Sequence, residues 1–327
     1  MSSRPRFLRK IMLLCRMLPV MLAVAGCSGQ DNILVYQSEF QTMGNLTARV
    51  SVYSSEAELT KAFRICKAEF DAVNKLCSLY DPESELSRIN HTASSEPFVC
   101  SEEMWLLLMR SKQAYAESEG NFDITVKPLM DLWGFYGKRG SGVPSEIEID
   151  ETMKVVGFDK LILDELNHTV YFSVPGMALD MGGIAKGYAV DRAFNAMNKA
   201  GISSGVIDLA GNLRTLGNNP PEKNYYTVAI RDPHDKNRIL NELLKVTSGM
   251  AVSTSGDYER FVTYNGKRYS HIISPLTGQP STTTAVTVVA ATAMDADIFS
   301  TACCMGGKAI AEKLRAAYPD TQIIFMR

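Results

Sequence analysis

The sequence predicts an α+β fold: a single domain, built of two mixed α/β lobes with a cleft between them. Three observations lead there. About 300 residues remain once an N-terminal leader is set aside, enough for a large core. Helical periods and strand alternations are interleaved along the chain. The regular βαβ alternation of a Rossmann sheet is missing, and no internal repeat or low-complexity segment interrupts the pattern.

The leader comes first. Arg4, Arg6, Arg9, Lys10 and Arg16 precede the apolar run 17–25 with no acidic residue among them. A positive start followed by an apolar run too short to span a bilayer is the pattern of an export signal. It ends in Val24-Ala25-Gly26-Cys27, which resembles the bacterial lipobox. Residues 1–26 are therefore expected to be a lipoprotein signal peptide and Cys27 the lipidated first residue, with 27–42 as lipidated Cys and polar tether. Loss of the five basic residues takes the formal charge from −2 to −7. A mildly acidic body argues against a nucleic-acid partner. Membrane association is expected through the lipid anchor, most simply at the periplasmic side of the inner membrane. Ser28 in place of Asp leaves the outer membrane open.

Each element has its own signal. Leu46–Tyr53 alternates as a strand. From Glu56 to Tyr80, apolar Leu59, Phe63, Cys66, Phe70, Val73 and Leu76 follow a helical period behind an acidic first turn. Ser101, followed by two glutamates, caps a second helix. Residues 137–150, rich in Gly, Ser and charge, read as a loop. Strands follow at 160–164 and 168–174, a helix at Lys186–Ala200, and strands at 204–209, 225–231, 284–291 and 321–326, with a last helix near 297–318. The mature chain keeps Cys27, Cys66, Cys77, Cys100, Cys303 and Cys304 without a CxxC pair or zinc spacing. Cys66 and Cys77 fit the helix as small core residues.

Three constellations carry chemistry. In Ala178–Asp191 a strand ending at Asp180 meets Gly182-Gly183 and then a helix. Glycines let a phosphate approach the backbone, and the N–H groups of a helix start favour an anion. Lys186 in the first turn opposes the helix dipole, as a residue serving a bound anion would. The segment matches neither GxGxxG nor the Walker pattern, so a tight turn with a surface lysine is the competing reading. Near the C-terminus, Asp297 and Thr301 are four apart and share one helix face. A carboxylate with a hydroxyl suits a hard cation such as Mg²⁺, though helix capping by Asp295 or Asp297 fits the spacing as well. Finally, Ser253–Phe261 is a polar turn, and Tyr269–Pro280 places His271, one of only four histidines, before a Pro-Leu-Thr-Gly turn. There it could take a proton from a hydroxyl or serve as a structural loop residue.

Taken together these pieces resemble the ApbE family, the FAD:protein FMN transferases. The resemblance runs in family order through Thr42–Gly44, Ser78–Asn90, Gly120–Leu129, Leu132–Phe135, Asp180–Asp191, Asp208–Asn212, Thr254–Asp257, His271–Pro280 and Asp297–Thr301, nearly all of the mature chain. It implies an ApbE-like domain over 43–327 with FAD, as substrate, in the cleft. Met43, Tyr80, Asn121, Phe122, Asp123, Asp180, Lys186 and His271 would contact the flavin nucleotide. Mg²⁺ would be held by the Gly183 carbonyl, Asp297 and Thr301, with His271 and Lys186 catalytic. The implied reaction moves FMN from FAD to a Ser or Thr hydroxyl of an acceptor flavoprotein, a subunit of an exported or membrane redox complex, and releases AMP. A Mg²⁺-dependent FAD pyrophosphatase and a non-catalytic FAD-binding lipoprotein are the alternatives. The chain departs from the family's common pattern at Asn45 (Thr), Ala210 (Gly) and Ser274 (Asp). A carboxylate at 274 could orient or charge His271, and alanine at 210 is tolerated where φ is negative.

Overall fold

A computed structural model describes residues 35–137, 142–218, 224–232, 235, 238–257 and 260–326. The leader, Cys27 and the tether up to residue 34 lie outside the described residues. The rest of the tether does not behave as one. Tyr36–Thr42 forms strand β1, paired in antiparallel register with β2 (Leu46–Val52). Its alternation of Phe40 with polar neighbours was masked in the sequence by Gln, Ser and Glu on the outer face.

Helix α1 (Glu56–Cys77) starts on Ser55, whose side chain accepts from the Glu58 amide, and buries Leu59, Cys66, Phe70, Val73 and Leu76 as its periodicity predicts. Helix α2 (Glu85–Thr92) precedes the short strand β3 (Phe98–Val99), and α3 (Glu102–Glu117) is capped by Ser101 as expected. Helix α4 (Lys127–Leu132) is followed by α5 (Glu146–Met153). The expected loop at 137–150 is thus corrected at its C-terminal end. Ser145 and Glu148 form a reciprocal capping box, which satisfies two orphan amides and starts a helix inside a polar stretch. Residues 138–141 of that loop lie outside the described set.

Strands β4 (Leu161–Asp164) and β5 (Thr169–Phe172) form the expected hairpin and join β3 in a three-stranded sheet. Helix α6 (Ala185–Lys199) leads to β6 (Gly205–Leu209) and β7 (Asn212–Leu216). The hairpin of β8 (Tyr225–Arg231) and β9 (Ile239–Thr247) precedes β10 (Ala251–Gly256), and β11 (Phe261–Tyr264) pairs with β12 (Lys267–Ser270). Then come β13 (Ala285–Ala290), α7 (Ala293–Ala317) and β14 (Gln322–Met326). Helix α7 begins four residues before the expected start, on a Thr292 cap, and breaks at Gly307.

The main sheet is antiparallel with order β1-β2-β6-β7-β10-β13-β14. Helices α1, α6 and α7 pack on one another and cross it in turn, against β1–β2, β6–β7 and β10–β13. The β8–β9 hairpin puts Ile230, Leu244 and Val246 against Val252, Val289 and Met326. Val252 alternates with Ser253, which faces α7, so the hairpin lies on the sheet's other side. Every residue of β13 is consequently buried, which explains its continuous apolar run. A second, smaller core gathers Leu129, Met130, Trp133, Phe135, Ile149 and Ile273. A cleft opens between it and the main core. No described helix is long and apolar enough to cross a membrane.

Candidate active site

The cleft measures about 580 Å³ and draws its walls from segments spread between Met43 and Met305. Of the residues singled out above, Met43, Tyr80, Asn121, Phe122, Asp123, Asp180, Gly183, Lys186, His271 and Thr301 all line it. Asp297 lies just behind the wall, 1 % exposed.

The turn Met43-Gly44-Asn45 between β1 and β2 has positive φ at all three residues, 45°, 76° and 82°. It projects Met43 over the cleft mouth. Tyr80 follows the C-terminus of α1 and stands 69 % exposed, a free aromatic face at the rim. Phe122 is buried against Gly183, where an added Cβ would come within 3.0 Å of its ring. Asp123 reaches the wall with both carboxylate oxygens already committed. Oδ1 accepts from the Thr125 amide and hydroxyl at 2.8 and 2.7 Å, and Oδ2 from the Phe158 amide at 2.9 Å. Burial still pushes its pKa up to about 6. Asp180 accepts from the Gly182 amide at 2.7 Å, which fixes the glycine turn, and from the Tyr136 hydroxyl at 2.5 Å.

At the start of α6 the Lys186 ammonium donates to the Gly182 carbonyl at 2.8 Å and lies 3.2 Å from Asp297 Oδ1. Asp297 Oδ2 accepts the Gly187 amide at 3.1 Å. Thr301, one turn on, sits with its hydroxyl 3.3 Å from where a Cβ on Gly183 would be. Thr301 thus lies against Gly183, and Asp297 against Lys186 and Gly187 at the start of α6. Carbonyl, carboxylate and hydroxyl oxygens are hard donors, the chemistry that a divalent ion of the Mg²⁺ type takes. Among the described residues no group of three or more His, Cys, Asp or Glu could hold a metal.

His271 leaves β12 on a loop, half-buried. Its Nδ1 lies 3.0 Å from the Arg260 carbonyl, so Nδ1 carries the proton and Nε2 keeps its lone pair. Burial, with the charges of Lys186 and Arg260, brings its pKa down to about 4. No hydrogen bond joins Ser274 to it among the described residues. The Ser274 hydroxyl accepts from the Leu276 and Thr277 amides at 3.3 and 3.2 Å, a turn cap that an aspartate could make equally. Orientation of the histidine comes from a backbone carbonyl instead. Ala210 is a correction: its φ is +50°, in a two-residue turn with Gly211 at +88°. Such a hairpin turn needs positive φ at both places, and alanine accepts the strain.

Two cleft residues escaped the sequence reading. Tyr136 bonds Asp180, meets Tyr80 edge-on at 5.9 Å, and has its hydroxyl pKa raised by burial and by Asp180. Arg260 lies over the Tyr136 ring at 5.0 Å, bonds the Phe135 carbonyl, and closes the base of the β11–β12 hairpin through His271. A tyrosine in an aromatic run and an arginine before a strand carry no spacing signal. Only the fold brings them to the cleft.

Fold and site define a single-domain α+β protein whose cleft carries aromatic faces, an ammonium and oxygen donors. The chain belongs to the ApbE family, whose model matches residues 43–325. It is 33 % identical over 269 residues to an Escherichia coli K12 protein named FAD:protein FMN transferase, covering 80 % of this chain and 76 % of that one. A Treponema pallidum protein of the same name is 29 % identical over 323 residues, 94 % of this chain and 88 % of its own. The fold matches the crystal structure of the ApbE protein from Thermotoga maritima with a TM-score of 0.81 at 30 % identity, over 89 % and 94 % of the two chains. The apo flavinyl transferase ApbE of Pseudomonas stutzeri matches at 0.74 and 29 % identity, over 90 % and 91 %.

Proposed function

We propose that this chain is an FAD:protein FMN transferase that moves FMN from FAD to a Ser or Thr hydroxyl of an acceptor flavoprotein, releasing AMP. The observation that carries the reading is the convergence of His271, Lys186 and the Asp297–Thr301 pair on one cleft rimmed by Tyr80. The names of the relatives support the same reaction.

Tyr80, with its exposed ring, suits stacking on the flavin. The glycine turn after Asp180 and the first turn of α6 suit the diphosphate. The Gly183 carbonyl, Asp297 and Thr301 would hold Mg²⁺, which would supply charge neutralisation for the diphosphate. The acceptor hydroxyl oxygen bonds to the phosphorus on the FMN side while the bond from that phosphorus to the bridging oxygen breaks. AMP leaves with that oxygen and the electron pair. His271 Nε2 takes the hydroxyl proton, which it can do because its Nδ1 proton is held by Arg260. Lys186 steadies the phosphoryl oxygens as negative charge gathers there.

The leader and Val24–Cys27 support export and a lipid anchor at Cys27, most simply on the periplasmic face of the inner membrane. An enzyme tethered there would meet acceptor subunits of exported or membrane redox complexes.

The test is to incubate the purified chain with FAD, Mg²⁺ and an acceptor bearing an Asp-Gly-x-Ser/Thr-Ala sequence, then denature it and weigh the acceptor. Covalent FMN with matching AMP is expected. AMP with no labelled acceptor would replace transfer by hydrolysis. Intact FAD would leave a binding protein.

A further inference from the structure

Strand alternation puts Ser253 and Ser255 of β10 on one face, towards α7. Helical spacing brings Asp297, Ser300 and Thr301 of α7 to meet them. The result is a chain of hydroxyls running from the core to the cleft. Ser300 Oγ lies 3.0 Å from the Asp297 carbonyl, Ser255 Oγ lies 2.8 Å from Ser300 Oγ, and Thr301 Oγ1 lies 3.4 Å from Ser255 Oγ. Ser253 Oγ adds a fourth member, 3.3 Å from Ser300 Oγ. Ser253 and Ser300 are fully buried and Ser255 is 9 % exposed.

Counting protons gives the chain a direction. A carbonyl only accepts, so the single proton of Ser300 goes to Asp297. Ser255 must then donate to Ser300. The Ser255 oxygen keeps its lone pairs for the one hydroxyl left, that of Thr301. With its proton drawn back into the chain, Thr301 turns its own lone pairs outward, towards Gly183 and the cleft. A hydroxyl ligand must present lone pairs, not a proton, to a cation. The β10 strand is held to α7 independently, by the Cys304 thiol on the Ser255 carbonyl at 3.3 Å, so the hydroxyl is not needed to keep the two elements in place.

We propose that Ser255 is a positioning residue for the cation site: its hydroxyl accepts the hydrogen bond of the Thr301 hydroxyl and thereby fixes Thr301 as a metal ligand. The proposal rests on the metal site of the function above and extends it to Ser255, which lines the cleft beside Thr301. Outer partners of this kind typically change metal affinity by about 10–100-fold.

Mn²⁺ titrated by electron paramagnetic resonance, with ADP as the diphosphate, reads the effect without turnover. Ser255→Ala should weaken Mn²⁺ binding about 10-fold, and Ser255→Cys, which fills the space with a poor acceptor, should do the same. In a Thr301→Ala background neither change should weaken it further, and the melting temperature of the metal-free protein should stay near that of the parent. Unchanged Mn²⁺ affinity in both Ser255 variants would overturn the proposal. So would the same loss persisting in the Thr301→Ala background, because Ser255 would then act elsewhere. If Asp297→Asn binds Mn²⁺ as the parent does, the metal site itself is overturned, and the role of Ser255 with it.

Discussion

At the scale of single residues, His271 holds its proton on the side away from the cleft, and its pKa sets a pH window. Its folded-state value of about 4 lies below the ordinary 6.5, so as pH falls the unfolded chain takes the proton first. Its contribution to folding is therefore complete above about pH 6.5 and lost progressively down to about pH 4. Asp123 works the other way: raised from 3.8 to about 6, it costs stability as pH rises through that interval. Melting curves of His271→Gln should show weaker acid destabilisation between pH 6.5 and 4 than the parent; parallel curves would reject the depressed pKa. In catalysis the free enzyme should keep a neutral base down to about pH 4, whereas bound diphosphate adds negative charge and raises that pKa. The acid limb of kcat should thus lie at higher pH than that of kcat/KM for FAD. Lys186 is as exposed to test. Asp297, 2 % exposed at its side chain, faces that ammonium at 3.2 Å. Lys186→Met should destabilise the metal-free protein by about 3–5 kcal/mol, the usual cost of stranding a buried charge, and Mg²⁺ should restore much of it. Ser274, which the family pattern marks as a departure, should tolerate aspartate with less than about a 3-fold change in rate, since either side chain can cap the 274–277 turn. A large gain in Ser274→Asp would mean that residue 274 governs the histidine after all.

Among the elements, the close approach of α6 and α7 makes the site. An added Cβ on Gly187 would lie 2.2 Å from the Ala293 carbonyl oxygen. Asp191, one turn further along α6, accepts the Ala293 and Met294 amides at 2.8 and 2.9 Å and is paired with Arg214 at 2.7 Å. One helix thus caps the start of the next and sets Asp297 beside Lys186 and Gly187. Gly187→Ala should push the helices apart and abolish flavin transfer, with a melting point several degrees lower; a fully active variant would show that the contact is slack. The β6–β7 turn offers the opposite change. Ala210 at φ +50° carries about 1–2 kcal/mol of left-handed strain, partly offset by the extra unfolded-state entropy of glycine. Ala210→Gly should stabilise the protein by about 0.5–1 kcal/mol in urea titration. This hairpin also marks the limit of what the sequence revealed about elements. Helix α1, with its apolar period, was legible to within a few residues, and the start of α3 from its Ser101 cap. Strand β1 was not, because its outer face is polar, nor was α5, whose start depends on a reciprocal cap inside a charged stretch.

For the whole molecule, the cleft belongs to no single segment. Its residues come from both ends of the chain and from both cores. The family order of short motifs therefore revealed which residues meet, and ten of the eleven non-lipid positions named in advance line the wall with the eleventh behind it. What the sequence withheld were contacts made only by folding: Tyr136 on Asp180, Arg260 on His271, the serines behind Thr301. A ligand spanning such a cleft joins the two cores, and binding should stabilise the entire fold instead of one loop. At concentrations 100-fold above its dissociation constant, FAD with Mg²⁺ should add about 2.7 kcal/mol. For a domain as long as the matched 43–325 segment this corresponds to a rise of roughly 4–5 °C in a single melting transition. The shift should need both components. With EDTA, or in Asp297→Asn, it should shrink to whatever FAD achieves alone. If FAD gives the full shift without metal and Asp297→Asn melts with the parent, the cation at Gly183, Asp297 and Thr301 has no part in holding the nucleotide.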